Sequence, residues 1–133
     1  MKKEIVYAYI RNKNKILMVN NIGIGWTFPG GTVEKFETKE SAIIREVFEE
    51  TGLSINIEKV LDISESVIDG IKYKFTTYFV NIVEGEIKNT DIEILEIKWI
   101  QVNIAKSMKS KFPIYSNELS IFKLEKEIEL NEL

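Results

Sequence analysis

The chain has 133 residues, enough for one compact domain over 1–133 and short for two. It contains neither cysteine nor histidine, which excludes disulfide staples, zinc–thiolate sites and any catalytic scheme built on imidazole, so carboxylates must carry any acid–base or metal chemistry. A formal net charge of -3 gives no global attraction for nucleic acid, no apolar run nears the roughly 20 residues of a membrane span, and without a signal-peptide pattern the expected location is the cytoplasm.

Residues 4–10 and 15–19 are β-prone runs separated by Asn12-Lys13-Asn14, which predicts a hairpin. A loop over 20–25 leads into Trp26-Thr27-Phe28-Pro29-Gly30-Gly31, a short strand ending in a sharp break. Thr38 is placed to cap a helix over 39–51 that stops at Gly52, with Ala42, Ile43 and Val47 facing a core. Residues 53–68 read as one or two strands, joined through the tight-turn dipeptide Asp69-Gly70 to a long strand over 71–83. A turn region over 84–91 precedes a last strand over 94–102. From residue 117 onward, Ile121, Leu124 and Ile128 recur at helical spacing with Phe122 beside them, which predicts an amphipathic helix packed on the sheet. Mixed strands with a central and a terminal helix give an α/β sandwich.

The chemistry concentrates in residues 31–53, GTVEKFETKESAIIREVFEETGL. Glu46, Glu49 and Glu50 fall at i, i+3 and i+4, so their side chains share one helix face. Like charges at these spacings destabilise a bare helix by roughly 0.2–0.5 kcal/mol per pair, and a divalent cation would offset that directly. Arg45 is next in sequence and reaches Glu49 at i+4, where it can hold a carboxylate in position. Phe28-Pro29-Gly30-Gly31 supplies a rigid turn and then backbone without side chains, open to close approach by a metal or a phosphate. Such a site suits phosphoryl chemistry, where charge neutralisation and positioning dominate. Outside it, Asp91, Glu93 and Glu96 form a second acidic stretch.

The segment resembles the Nudix box, G-x5-E-x7-R-E-U-x-E-E-x-G-U with U aliphatic: Gly31, Glu37, Arg45, Glu46, Val47, Glu49, Glu50, Gly52 and Leu53 fill every defined position. Trp26-x-Phe28-Pro29-Gly30 resembles the usual lead-in, and Glu96-Ile97-Lys98-Trp99 a late strand of the family. The resemblance implies an α/β/α sandwich around a central mixed β-sheet and a hydrolase that cleaves the diphosphate linkage of a nucleoside diphosphate derivative. By it, Glu46, Glu49 and Glu50, with the Gly30 carbonyl, would bind Mg²⁺ or Mn²⁺. Gly31, Glu37, Arg45 and Gly52 would support the loop and helix. Glu46 is the first candidate for the base, and Glu93 or Glu96 for a second base or ligand.

Family members frequently carry glycine immediately before the first box glutamate, where this chain has Phe36; glycine there tolerates a positive φ that phenylalanine resists. Arg11, Trp26, Phe28 and Tyr73 are candidates to touch substrate, with Lys72 or Lys74 near phosphate. No subgroup motif is evident, which leaves a small MutT-like enzyme acting on nucleoside triphosphates as the leading reading. An RNA 5′-pyrophosphohydrolase and a non-catalytic nucleotide-binding or regulatory module are the alternatives, and a homodimer is compatible with the family.

Overall fold

The structure, a computed structural model, describes residues 2–105, 107–108, 124–126 and 128. Its elements are β1 (Lys2–Tyr9), β2 (Arg11–Asn12), β3 (Lys15–Asn21), β4 (Gly25–Thr27), β5 (Gly30–Thr32), α1 (Lys39–Thr51), β6 (Ser54–Ile68), β7 (Ile71–Glu84), β8 (Ile94–Gln101) and the short α2 (Val102–Ala105). A mixed four-stranded sheet runs β5-β1-β7-β6, with β1 and β7 parallel and the other pairs antiparallel. An antiparallel sheet is built on β3, which pairs with β2, β4 and β8. The Leu17 N–H donates to the Ile10 carbonyl at 3.0 Å and ties the two sheets together.

Alternation along β1 explains the layers. Val6, Ala8 and Ile10 join Leu17, Tyr78 and Val80 in a core under Ala42, Ile43 and Val47 of α1. Ile5, Tyr7 and Tyr9 face the other way, into a core with Met18, Phe28, Phe75 and Ala105 of α2. β1 is therefore buried on both faces, as an interior strand must be. Leu124, Glu125, Lys126 and Ile128 are helical, and Leu124 and Ile128 complete the second core. The arrangement is the expected α/β/α sandwich. The rest of the predicted terminal helix, with Ile121 and Phe122, lies outside the described residues.

α1 follows its signals. The Thr38 side chain accepts from the Ser41 N–H at 3.0 Å, and Gly52, at φ 80, returns its N–H to the Phe48 carbonyl. Burial of Ile43 and Val47 contributes about 1.5–3 kcal/mol each, which exceeds the repulsion among the three glutamates. The turn at Asp69-Gly70 is also as expected, with φ 54 and 77 at its two central residues.

Two sequence expectations change. The strand over 4–10 does not form a hairpin with 15–19: β1 pairs with β5 and β7, and only β2 turns back on β3, through Lys13 at φ 57. The run 26–31 is not one strand either. β4 belongs to one sheet and β5 to the other, and the Pro29 carbonyl accepts from Ala8 at the crossing. Among the described residues no helix is long and apolar enough to cross a membrane.

Candidate active site

β5, the N-terminal half of β1, α1 and the loop before β8 enclose a cavity of about 340 Å³. Its lining includes Gly30, Gly31, Glu46, Glu50, Asp91 and Glu93. The glycines are required by packing. A Cβ on Gly30 would lie 2.0 Å from the Val6 carbonyl oxygen, and one on Gly31 would lie 2.7 Å from the Glu46 carboxyl. Gly30 thus lets β5 pair with β1, and Gly31 leaves the space that the Glu46 carboxylate fills.

Arg45 organises the rim. Its guanidinium grips Glu37 through two bonds, Nε to Oε2 at 2.7 Å and Nη2 to Oε1 at 2.9 Å. Nη1 reaches Glu46 at 3.1 Å and Glu49 at 3.2 Å, and Nη2 also reaches the Thr32 carbonyl at 3.3 Å. Glu37 Oε1 accepts in addition from the Glu34 N–H. This bonding holds the Glu37 carboxyl down at about 2 and raises the Arg45 guanidinium further still. Arg45 and Glu37 lock the loop over 33–38 to the helix.

The two inner carboxylates shift the other way from Glu37. Burial pushes Glu46 up to about 7 against the pull of Arg45, with Glu49 and Asp91 adding repulsion. Glu50 is 5% exposed, and burial lifts it to about 9, although its Oε1 accepts the Gly30 N–H at 2.8 Å; Glu46 and Asp91 add to the rise. Burial, with Glu50 and Glu46 close by, also raises the Tyr7 phenol. Burial, with several carboxylates crowded together, is what these shifts express. Among the described residues no three acids already stand in metal-ligand geometry; Arg45 bonds both Glu46 and Glu49, and Glu50 accepts from the Gly30 N–H. The donor set itself is all oxygen and anionic, which fits a hard divalent cation such as Mg²⁺ or Mn²⁺.

Of the late acids, Asp91 and Glu93 line the cavity. Glu96 does not: it sits on β8 opposite Asn20 and pairs with Lys98 at 3.0 Å. Asp91 is the residue that composition alone undervalued. Its Oδ1 accepts the Glu93 N–H at 2.9 Å, an Asx turn that fixes the loop and sets the aspartate toward Glu46 and Glu50. An Asp two residues before a backbone donor at the mouth of a strand was the available signal.

The substrate candidates divide. Tyr73 lines the cavity, beside Lys3 and Ile5. Phe28 is 1% exposed and packs edge-to-face on Tyr9 at 5.1 Å, so its ring belongs to the core. Trp26 is half-buried against the same core and lines no described cavity. Arg11 pairs with Glu125 at 2.9 Å, and Tyr9 donates to the same carboxylate at 2.6 Å, so this arginine holds the terminal helical residues. Lys3, Asn21, Ile24 and Thr27 line the cavity without any motif to announce them. Phe36 adopts φ 68 and is 98% exposed, the conformation that glycine would have met without strain.

A two-face helix–sheet–helix sandwich with this carboxylate-lined loop and helix defines a Nudix-type site. The family comparison agrees: the NUDIX domain matches residues 1–118, and the chain belongs to that family. Similar proteins include Nudix hydrolase 6 of Arabidopsis thaliana, 34% identical over an alignment of 108 residues that covers 73% of this chain and 38% of that protein. The ADP-ribose pyrophosphatase of Methanocaldococcus jannaschii is 36% identical over an alignment of 92 residues that covers 65% of this chain and 54% of the relative. Among solved structures, a MutT protein from Methanosarcina mazei Go1 superposes with a TM-score of 0.80 at 23% identity, covering 96% of this chain and 95% of the other. The chain spans between 22% and 58% of the length of the curated relatives it matches.

Proposed function

We propose that this chain hydrolyses the diphosphate linkage of a nucleoside diphosphate derivative with the help of a divalent cation, Mg²⁺ in the first place and Mn²⁺ as a substitute. The observation that carries this reading is the pair of inward carboxylates, Glu46 half-buried and Glu50 buried, set against side-chain-free backbone at Gly30 and Gly31. Glu46, Glu49 and Glu50, with the Gly30 carbonyl, would hold the cation. When bound, such a cation offsets charge on the diphosphate oxygens and lowers the pKa of a bound water.

The remaining roles belong to side chains. Arg45 positions Glu46 by holding Oε1 and leaves Oε2 to take the proton of the attacking water. Glu37 fixes Arg45 in turn. Asp91 and Glu93 supply further carboxylates from the opposite wall, with Asp91 the better anchored. Asn21, Thr27 and Tyr73 bound the space left for the nucleoside. The family name of the solved MutT neighbour and the size of the cavity support a nucleoside triphosphate as the leading substrate, with ADP-ribose, named by a relative, as the second to try.

The test is phosphate or pyrophosphate release from a panel of canonical and oxidised nucleoside triphosphates, ADP-ribose, nucleotide sugars and dinucleoside polyphosphates. Turnover should require the cation and fall by at least about a hundredfold in Glu46→Gln, whose amide cannot accept the proton. Undiminished turnover in that folded variant sinks the assignment of Glu46.

A further inference from the structure

A second and larger cavity, about 590 Å³, opens where β1 begins and the β6–β7 hairpin turns back. It is lined by Lys2, Glu65, Ser66, Val67, Lys72 and Tyr73. Tyr73 lines both cavities, and Lys2 and Lys3 enter one each, so the two spaces adjoin across a single aromatic ring. That ring is backed by Phe75, stacked at 5.8 Å and 18°, and Phe75 is stacked on Tyr7 in turn. Tyr73 is therefore a supported platform at the boundary.

The two spaces differ in charge. The catalytic cavity gathers Glu34, Glu46, Glu50, Asp91 and Glu93 against Lys3 alone. The second places Lys2 directly across from Lys72 on neighbouring strands, a like-charge pairing that costs stability unless an anion answers it. Glu65 pairs with Lys2 at 2.5 Å, and its carboxylate also feels Lys74 and Lys72, so one acid faces three ammonium groups. Lys72 is exposed and forms no ion pair among the described residues.

We propose that the second cavity is a subsite for a further phosphate carried by the nucleoside of the substrate, remote from the scissile diphosphate, with Lys72 and Lys2 as its cationic contacts and Tyr73 under the base or sugar between. This rests on the proposed diphosphate hydrolysis for the orientation of the ligand, and it narrows the substrate class to nucleotides phosphorylated a second time, on the ribose. An ammonium is a point charge that suits phosphate without demanding a fixed fork geometry.

Binding can be read without turnover. Adenosine 3′,5′-bisphosphate and adenosine 5′-monophosphate are titrated calorimetrically into the full chain at low ionic strength, in wild type, Lys72→Ala and Lys72→Arg. The 3′-phosphate should tighten binding by about fivefold or more in wild type, an advantage that disappears in Lys72→Ala, returns in Lys72→Arg and fades with added salt. Equal affinity for the two ligands in wild type, or an advantage untouched by Lys72→Ala, overturns the subsite. A retained binding advantage with no hydrolysis of any phosphorylated substrate leaves the subsite standing and removes the catalytic reading instead.

Discussion

Replacing Glu50 by glutamine should stabilise the metal-free protein while removing its response to Mg²⁺. In the folded chain this carboxyl is lifted to about 9 by burial, against 4.5 for an ordinary glutamate. A raised carboxylic acid contributes no penalty below pH 4.5, where both folded and unfolded chains hold the proton. Above pH 4.5 the unfolded chain gives up its proton and the folded chain does not, so stability falls until the pH passes the folded value near 9. At 1.36 kcal/mol per pH unit, the wild type has lost about 3 kcal/mol to this group by pH 7. Glutamine is the neutral counterpart of the protonated acid, and its Oε1 can still accept the Gly30 N–H now bonded at 2.8 Å. Thermal unfolding in EDTA should place Glu50→Gln roughly 10 °C above wild type at pH 7, with the two converging toward pH 4.5. Millimolar Mg²⁺ should raise the wild-type midpoint, increasingly so at higher pH as the cation displaces protons, and leave the variant unmoved. A wild-type midpoint that is flat between pH 5 and pH 8 in EDTA, or a variant no more stable than wild type, would refute the reasoning.

Phe36 at φ 68 holds a conformation that costs an L-residue about 1–2 kcal/mol, and its ring, fully exposed, recovers little of that beyond a contact with Lys35 at 5.3 Å. Chemical denaturation should find Phe36→Gly more stable than Phe36→Ala by up to about 1 kcal/mol, once the added freedom of the unfolded chain is counted; the reverse order would show that the loop is not strained there. Arg11→Ala should lower stability by about 1–3 kcal/mol through loss of the Glu125 pair and leave KM for any nucleotide unchanged. A rise in KM without loss of stability would restore Arg11 to the substrate.

The helix and its carboxylates were legible in the sequence because both its ends carry chemical signals and its face follows from spacing alone. Thr38 and Gly52 bound it as expected, and Arg45 meets Glu49 at the distance that i+4 implies. Phe36 was legible too, as a departure whose conformational consequence the backbone bears out. The hairpin over 4–19 was misread because adjacency in sequence favours pairing, whereas β1, apolar on both faces, gains more by lying between β5 and β7. Phe28 and Trp26 were candidates because an aromatic beside a glycine turn looks available. Which side of the sheet it enters depends on the crossing at Pro29, and no local pattern encodes that. The Arg11 ion pair was not legible for a related reason: its partner, Glu125, lies far along the chain.

The end of α1 meets the segment after β7 backbone against backbone. A Cβ on Gly52 would lie 2.8 Å from the Glu86 carbonyl oxygen, one on Gly85 would lie 2.6 Å from the Gly52 carbonyl oxygen, and the Lys88 N–H donates to Thr51 at 2.8 Å. From that clamp the chain runs through exposed residues 86–90 to the Asx turn at Asp91. The span between the helix carboxylates and Asp91 is thus a dimension set by residue count. The Asn89 amide donates to the Ile94 carbonyl at 2.9 Å and braces the far end, so a single insertion or deletion between Lys88 and Asp91 would change this connection by the length of one peptide unit, about 3.8 Å.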